Sequence, residues 1–152
     1  MGTHYQGSRE EVRALDALIR LTRASNTLRF RVEEWLREAG LTESQLGVLE
    51  MLLHLGPLRQ CDIGTKLLIS RANVTLVVDQ LVARGWLRRE KHPDDRRSNM
   101  VHLTAEGRRK IEKIFPGHVR RITKAMSALS PAEIETLGRL AKKLGLSLRS
   151  RA

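Results

Sequence analysis

The sequence predicts a mainly α-helical chain carrying one small β-hairpin, and three observations predict it. Apolar residues recur at helical spacing over most of the length, strand-like alternation is confined to two short runs, and capping residues punctuate the helical stretches. At 152 residues the chain is one domain's worth, long enough to bury a core. It is 41% hydrophobic, 30% charged and 3% aromatic, a globular rather than a disordered balance.

From Ser8 to Ala39 no proline or glycine occurs, and Val12, Leu15, Ile19, Val32, Trp35 and Leu36 follow helical spacing. This predicts one long helix ended by Gly40. "LTESQLGVLEMLLHLGP" opens with Thr42 and Gln45 in capping-box spacing, with Leu41 and Leu46 placed as a hydrophobic staple, so a second helix runs to Leu55 before Gly56 and Pro57. "RQCDIGTKLLISRANVTLVVDQLVARGWL" predicts a short helix over Gln60–Leu67, a tight connection, and a helix capped by Ser70 and ended by Gly85. Val74, Val77, Val78, Leu81 and Val82 stripe one side of that helix, and Arg71, Asn73, Thr75, Asp79 and Gln80 occupy the other. Two short helices joined this way have the form of a helix-turn-helix.

"WLRREKH" and "NMVHLT" then read as two strands joined by "PDDRRS", a hairpin with a long tip. Thr104 caps a helix whose apolar side includes Ile111, Ile114, Phe115, His118 and Ile122, and Pro116 within it predicts a kink rather than a break. Ser130, Pro131 and Glu133 start a last helix, expected to run through Ile134, Leu137, Leu140 and Leu144 to Gly145, with "SLRSRA" as a fraying basic tail. A helix-turn-helix followed at once by a hairpin is a winged helix-turn-helix. The expected plan is one domain, 1–152, with the winged lobe over 42–104. The first helix, 8–39, is roughly 45 Å long at ~1.5 Å per residue, too long for the small lobe to cover. That helix and 105–147 are therefore expected to be dimerisation helices.

The net charge is +11, unevenly spread: residues 1–58 hold 7 basic and 8 acidic groups, 59–103 hold 9 and 5, and 104–152 hold 12 and 4. A basic surface attracts polyanions. Single-stranded nucleic acid is usually held by stacked aromatic rings, and only Tyr5, Phe30, Trp35, Trp86 and Phe115 are present, so duplex is favoured. A recognition helix fits the major groove and reads bases near its start. Ser70 and the first backbone amides suit a phosphate, while Arg71, Asn73 and Thr75 suit guanine, adenine, and backbone or thymine methyl. At the hairpin tip Arg97 is expected to enter the minor groove, Arg96 to contact phosphate, and Asp95 to hold an arginine's fork outward. Taken singly, each of these residues reads as an exposed helix face or a solvated turn; it is their joint placement that points to duplex.

"LTESQLGVLEML", "SRANVTLVVDQLVARGWLRRE", "PDDRRSNMVHLTAEGR" and "LSPAE" together resemble the MarR family of bacterial transcriptional regulators, over Thr42 to Glu133. The resemblance implies a homodimeric winged helix-turn-helix protein, usually a repressor, often released by small aromatic or phenolic compounds or by oxidants. It places Asp95 and Arg97 at the wing and Ser70 to Leu76, Val74 included, at the start of the recognition helix. "LLHLGPLRQCDIGTKLLISRANVTLVVDQL" resembles members that respond to quinone or phenol stress. An effector pocket is expected between the dimer helices and the winged lobe, with Leu28, Trp35 and His54 lining it. A two-fold dimer would space its recognition helices about 34 Å apart and read a pseudo-palindromic operator.

Other functions find little support. Cys61 is the sole cysteine, at a position unlike that of the peroxide-sensing relatives; a small packing residue is its commoner role and redox sensing the rarer. His54, His102 and His118 lack the spacing of a helical metal pair, and no phosphate-cradling glycine loop or nucleophile elbow occurs. No metal, cofactor or catalysis is expected. No run approaches the ~20 apolar residues of a membrane span, and no targeting pattern opens the chain, so a cytoplasmic location is expected. The alternative function is a basic winged-helix scaffold that binds protein partners, or DNA without sequence choice.

Overall fold

The computed structural model describes residues 2–91 and 98–149. Its elements are α1 (Arg9–Glu38), α2 (Glu43–Leu55), β1 (Leu58–Arg59), α3 (Gln60–Leu67), α4 (Arg71–Ala83), β2 (Leu87–Lys91), β3 (Asn99–Leu103), α5 (Ala105–Ala125) and α6 (Pro131–Arg149). The chain divides into two compact units, Met1–Gly117 and His118–Ala152.

Local chemistry fixes the helix starts. Ser8 and Glu11 form a capping box on α1, as Thr42 and Gln45 do on α2. Ser70 accepts from the Asn73 amide at 3.2 Å. Each cap satisfies amides that lack a partner within the helix. Ser130 N–H and Oγ–H both donate to the Glu133 carboxylate, at 2.8 Å. Gly85, at φ 72°, takes the left-handed turn that ends α4, a conformation costly for a side chain.

In the first unit, Leu36 of α1, Val48, Leu49 and Leu52 of α2, Ile63 of α3, Val74, Val78 and Leu81 of α4, Val101 of β3 and Ile111 of α5 form the core. Arg29 of α1 meets Glu43 of α2 at 3.0 Å. The three strands form an antiparallel sheet in the order β1-β3-β2. Leu58 pairs with Val101, and β2 pairs with β3 from Leu87↔Leu103 to Lys91↔Asn99. The expected hairpin is thus joined by a third strand. Two residues are too few to show alternation, and β1 exists because β3 offers it a partner.

α3 and α4 approach closely. A Cβ on Gly64 would meet Val74 Cγ2 at 3.0 Å. Their connection is held by Ile69 N–H donating to the Gly64 carbonyl at 3.2 Å. Between them Leu68 is the only non-glycine residue with positive φ, 56°, among those described. This conformation costs an L residue about 1 kcal/mol or more, and Leu68 is 71% exposed, so little burial offsets it. Leu68→Gly is therefore expected to raise the unfolding free energy by about 0.5–1 kcal/mol, read from urea midpoints.

α5 is continuous through Pro116, so the helix is not broken there. α6 continues past Gly145 to Arg149, four residues beyond the expected end. One helical glycine costs about 1 kcal/mol, and the leucines around it support helix on both sides. In the second unit Ile134, Leu137, Leu140 and Leu144 of α6 are all exposed.

Candidate nucleic-acid interface

The interface is built on α4, whose inner side is set by buried Val74, Val77, Val78 and Leu81. Val74, placed by sequence among the duplex-facing residues, is 2% exposed, so its side chain belongs to the core and cannot touch a ligand. It lies 100° from its neighbours around the helix, toward Gly64 of α3. Ser70, Arg71, Asn73 and Thr75 are exposed at the start of α4. Arg71 and Asn73 make no side-chain hydrogen bond or ion pair among the described residues, which leaves a guanidinium and a carboxamide available at one helix end.

The rest of the polar face is engaged. Thr75 Oγ1 donates to the Arg71 carbonyl at 3.1 Å and accepts from Gln60 Nε2 at 2.9 Å. The Gln60 carboxamide oxygen in turn accepts from Arg89 Nε at 3.2 Å. Arg89 Nη1 pairs with Asp79. Thr75 and Asp79 are one helical turn apart, so this chain forms a ring spanning the first residue of α3, one face of α4 and the middle of β2. Gln80 accepts from the buried Gln45 of α2 at 2.8 Å. Asp79 and Gln80, which the sequence grouped with the reading face, orient the helix instead.

Gln60 and Arg89 were not singled out by sequence. Neither has a local partner, and each alone reads as an ordinary solvated side chain; the signal that would find them is pairing across 15 and 29 residues. Asp95, Arg96 and Arg97 lie outside the described residues.

The exit from α4 is tied to α5. Thr104 N–H donates to the Trp86 carbonyl at 3.0 Å. Its Oγ1 donates to the Gly85 carbonyl at 2.7 Å and accepts from Gly107 N–H at 3.0 Å. Arg84 and Lys110 each sit 5.1 Å from the centre of the Trp86 ring, a cation–π distance.

On the sheet, Arg88 pairs with Glu90, and His102 Nε2 lies 3.1 Å from the same carboxylate. Burial first, and the Arg88 charge second, hold the His102 pKa below its ordinary value. The folded chain therefore takes up this proton less readily than the unfolded one. Stability should be level above the unfolded-state value of about 6.5 and fall as pH drops through and below it. Urea unfolding between pH 8 and pH 5 is expected to show this slope, and His102→Asn to flatten it.

The three effector-pocket residues are placed differently. Trp35 is buried, Leu28 half-buried and His54 exposed, with the His54 ring 5.5 Å from that of Phe115, edge to face. An open cleft beside the α1–α2 turn is lined by Arg37, Leu41, Gln45, Gln80 and Arg84 and by none of these three. Cys61 is exposed, not packed as a small core residue, and its Sγ is 3.7 Å from Asp62 Oδ1.

The family model described as MarR family matches residues 41–98, from the last residue before the α2 cap to the residue before β3. The chain is 43% identical over 110 residues to the HTH-type transcriptional regulator YkoM of Bacillus subtilis, covering 72% of this chain and 71% of that one. It is 33% identical over 139 residues to MhqR of the same organism, also an HTH-type transcriptional regulator, covering 90% and 94%. Among solved structures, Sco3205 of Streptomyces coelicolor, a MarR family regulator in complex with DNA, superposes with a TM-score of 0.84 at 26% identity, covering 95% of this chain and 92% of that one. Bordetella bronchiseptica BpsR, whose DNA binding is regulated by 6-hydroxynicotinic acid, superposes at 0.74 with 30% identity, covering 82% and 95%. With its recognition helix, three-stranded wing and terminal helices accounted for, the chain belongs to the MarR family, as a transcriptional regulator built on a winged helix-turn-helix.

Proposed function

We propose that this regulator is a homodimeric repressor that binds a pseudo-palindromic duplex operator and leaves it when a small aromatic or phenolic ligand, or an oxidant, acts on it. The observation that carries the reading is the start of α4: a capped helix end with Arg71 and Asn73 exposed and unengaged, on a helix whose other polar groups are tied to α2, α3 and β2. Arg71 suits the O6/N7 edge of guanine and Asn73 the N6/N7 edge of adenine. Ser70 and the first amides take a phosphate, Thr75 offers only its methyl because its hydroxyl proton goes to the Arg71 carbonyl, and Arg96, Arg97 and Asp95 act as the wing's phosphate contact, groove arginine and aiming carboxylate. The Sco3205 complex supports DNA as the ligand. The regulator is read as one functional domain, 1–152, acting in the cytoplasm without catalysis.

Self-association is supported by α6, where Ile134, Leu137, Leu140 and Leu144 recur at helical spacing and are exposed. A second copy covering this face buries it without a foreign partner. The effector is supported by the BpsR relationship to a hydroxylated aromatic acid; Leu28, Trp35 and His54 are its proposed contacts. The test is competition at matched salt between a duplex enriched from a random-sequence pool and random duplex of equal length, with sedimentation of the free chain. Preference of about a thousandfold or more and a two-chain mass support the reading. Equal binding to both duplexes overturns it in favour of a basic scaffold, the reading suggested by the 12 basic and 4 acidic groups of residues 104–152.

A further inference from the structure

We propose that Leu76, flanked by Ala72, reads the C5-methyl group of a thymine in the operator's major groove. The inference deepens the operator-binding reading and rests on it. The buried residues of α4 define an inward direction, and at 100° per residue Ala72, Leu76, Asp79 and Ala83 fall within about 30° of the opposite direction. Asp79 is committed to Arg89, and Ala83 lies in the last turn. The part of this face nearest the helix start is therefore Ala72 and Leu76, one turn apart.

Leu76 is 56% exposed, although Val77 beside it is 7% exposed and Val74 2%. A single exposed leucine is ordinary on a protein surface; its position makes it informative. It lies about 60° around the helix from Asn73 and about 40° from Ala72, which itself adjoins Arg71 and Asn73 at the helix start. Thr75, matched to thymine on sequence grounds, has its hydroxyl between the Arg71 carbonyl and Gln60. In the major groove the thymine methyl is the one apolar group a base pair presents, so an apolar strip here selects a T·A pair beside the bases taken by Arg71 and Asn73. Burying one methyl is worth about fourfold in affinity.

The test uses the full chain and a duplex it enriches from a random-sequence pool. Each thymine is replaced in turn by deoxyuridine, which keeps the pairing edge and lacks only the methyl. Binding is measured for wild type, Leu76→Ala and Leu76→Gln, with urea unfolding and sedimentation as controls. At one thymine position per half-site, uracil should weaken wild type about fourfold. Leu76→Ala should bind the two forms equally there, with an unchanged unfolding midpoint and an unchanged salt dependence. A thymine-to-uracil ratio that survives in Leu76→Ala overturns the proposal. So does a wild type indifferent to every methyl, or a change of oligomeric state in Leu76→Gln, which would make Leu76 a protein contact. A wild type that enriches no sequence overturns the operator reading itself, before any uracil is introduced.

Discussion

Gly107→Ala is expected to lower the unfolding free energy by about 3 kcal/mol. A Cβ at this position would lie 2.0 Å from the Trp86 carbonyl oxygen and 2.8 Å from its carbon. The obstacle is backbone, and no rotamer change relieves it. That carbonyl accepts from Thr104 N–H, and Gly107 N–H donates to Thr104 Oγ1 at 3.0 Å, so moving α5 aside also loosens its cap. Urea unfolding measures the loss, and a midpoint within 0.3 M, taken as about 0.5 kcal/mol, would refute the tight approach. Thr104→Val separates the cap from the clash: it removes the hydroxyl without crowding Trp86 and should cost about 1 kcal/mol.

Arg89→Ala is expected to reduce operator affinity about tenfold, although Arg89 lies on β2 and not on the recognition helix. Its guanidinium joins Gln60 to Asp79; without it, Asp79 carries an uncompensated negative charge on the helix proposed to meet the duplex, and Thr75 and Gln60 lose their brace. Like charges across an interface are costly. The folded state loses about 1 kcal/mol as well, since the pair is partly exposed. Asp79→Ala in the same chain should restore part of the binding while leaving the stability low. Binding isotherms over a range of salt check the origin of the effect: an Arg89 that touched phosphate would lower the salt slope by about one, and no recovery in the double variant would remove Asp79 from the explanation.

Most of the architecture is legible because it is specified locally. Ser8, Thr42, Ser70, Thr104 and Ser130 announce their helices within four residues, and the valine stripe of α4 states which side is inward. What escaped has non-local causes. β1 has only Leu58 and Arg59 to show, and its partner Val101 is 43 residues from Leu58 in the chain. Gly145 reads as a stop, yet the leucines around it carry α6 onward. Listing polar residue types near a helix start brings out Arg71 and Asn73, but does not separate them from Asp79 and Gln80, which are committed elsewhere. The same habit passes over Leu76, since an apolar residue on a polar face offers no hydrogen-bonding signal. Cys61 fits a packing position by type and is exposed because α3 turns Ile63 and Gly64 inward instead.

The junction of β1 and α3 also bears on how this chain can vary in length. Arg59 ends the strand and Gln60 begins the helix, with no connector between them. One residue inserted there would advance α3 by about 100°, turning Gln60 away from both Thr75 and Arg89 while Ile63 left the core. A substitution at this point alters one contact, whereas an insertion shifts the register of the whole helix. The spacing between sheet and helix-turn-helix is thus held by counting residues, and drift in length must be accommodated elsewhere.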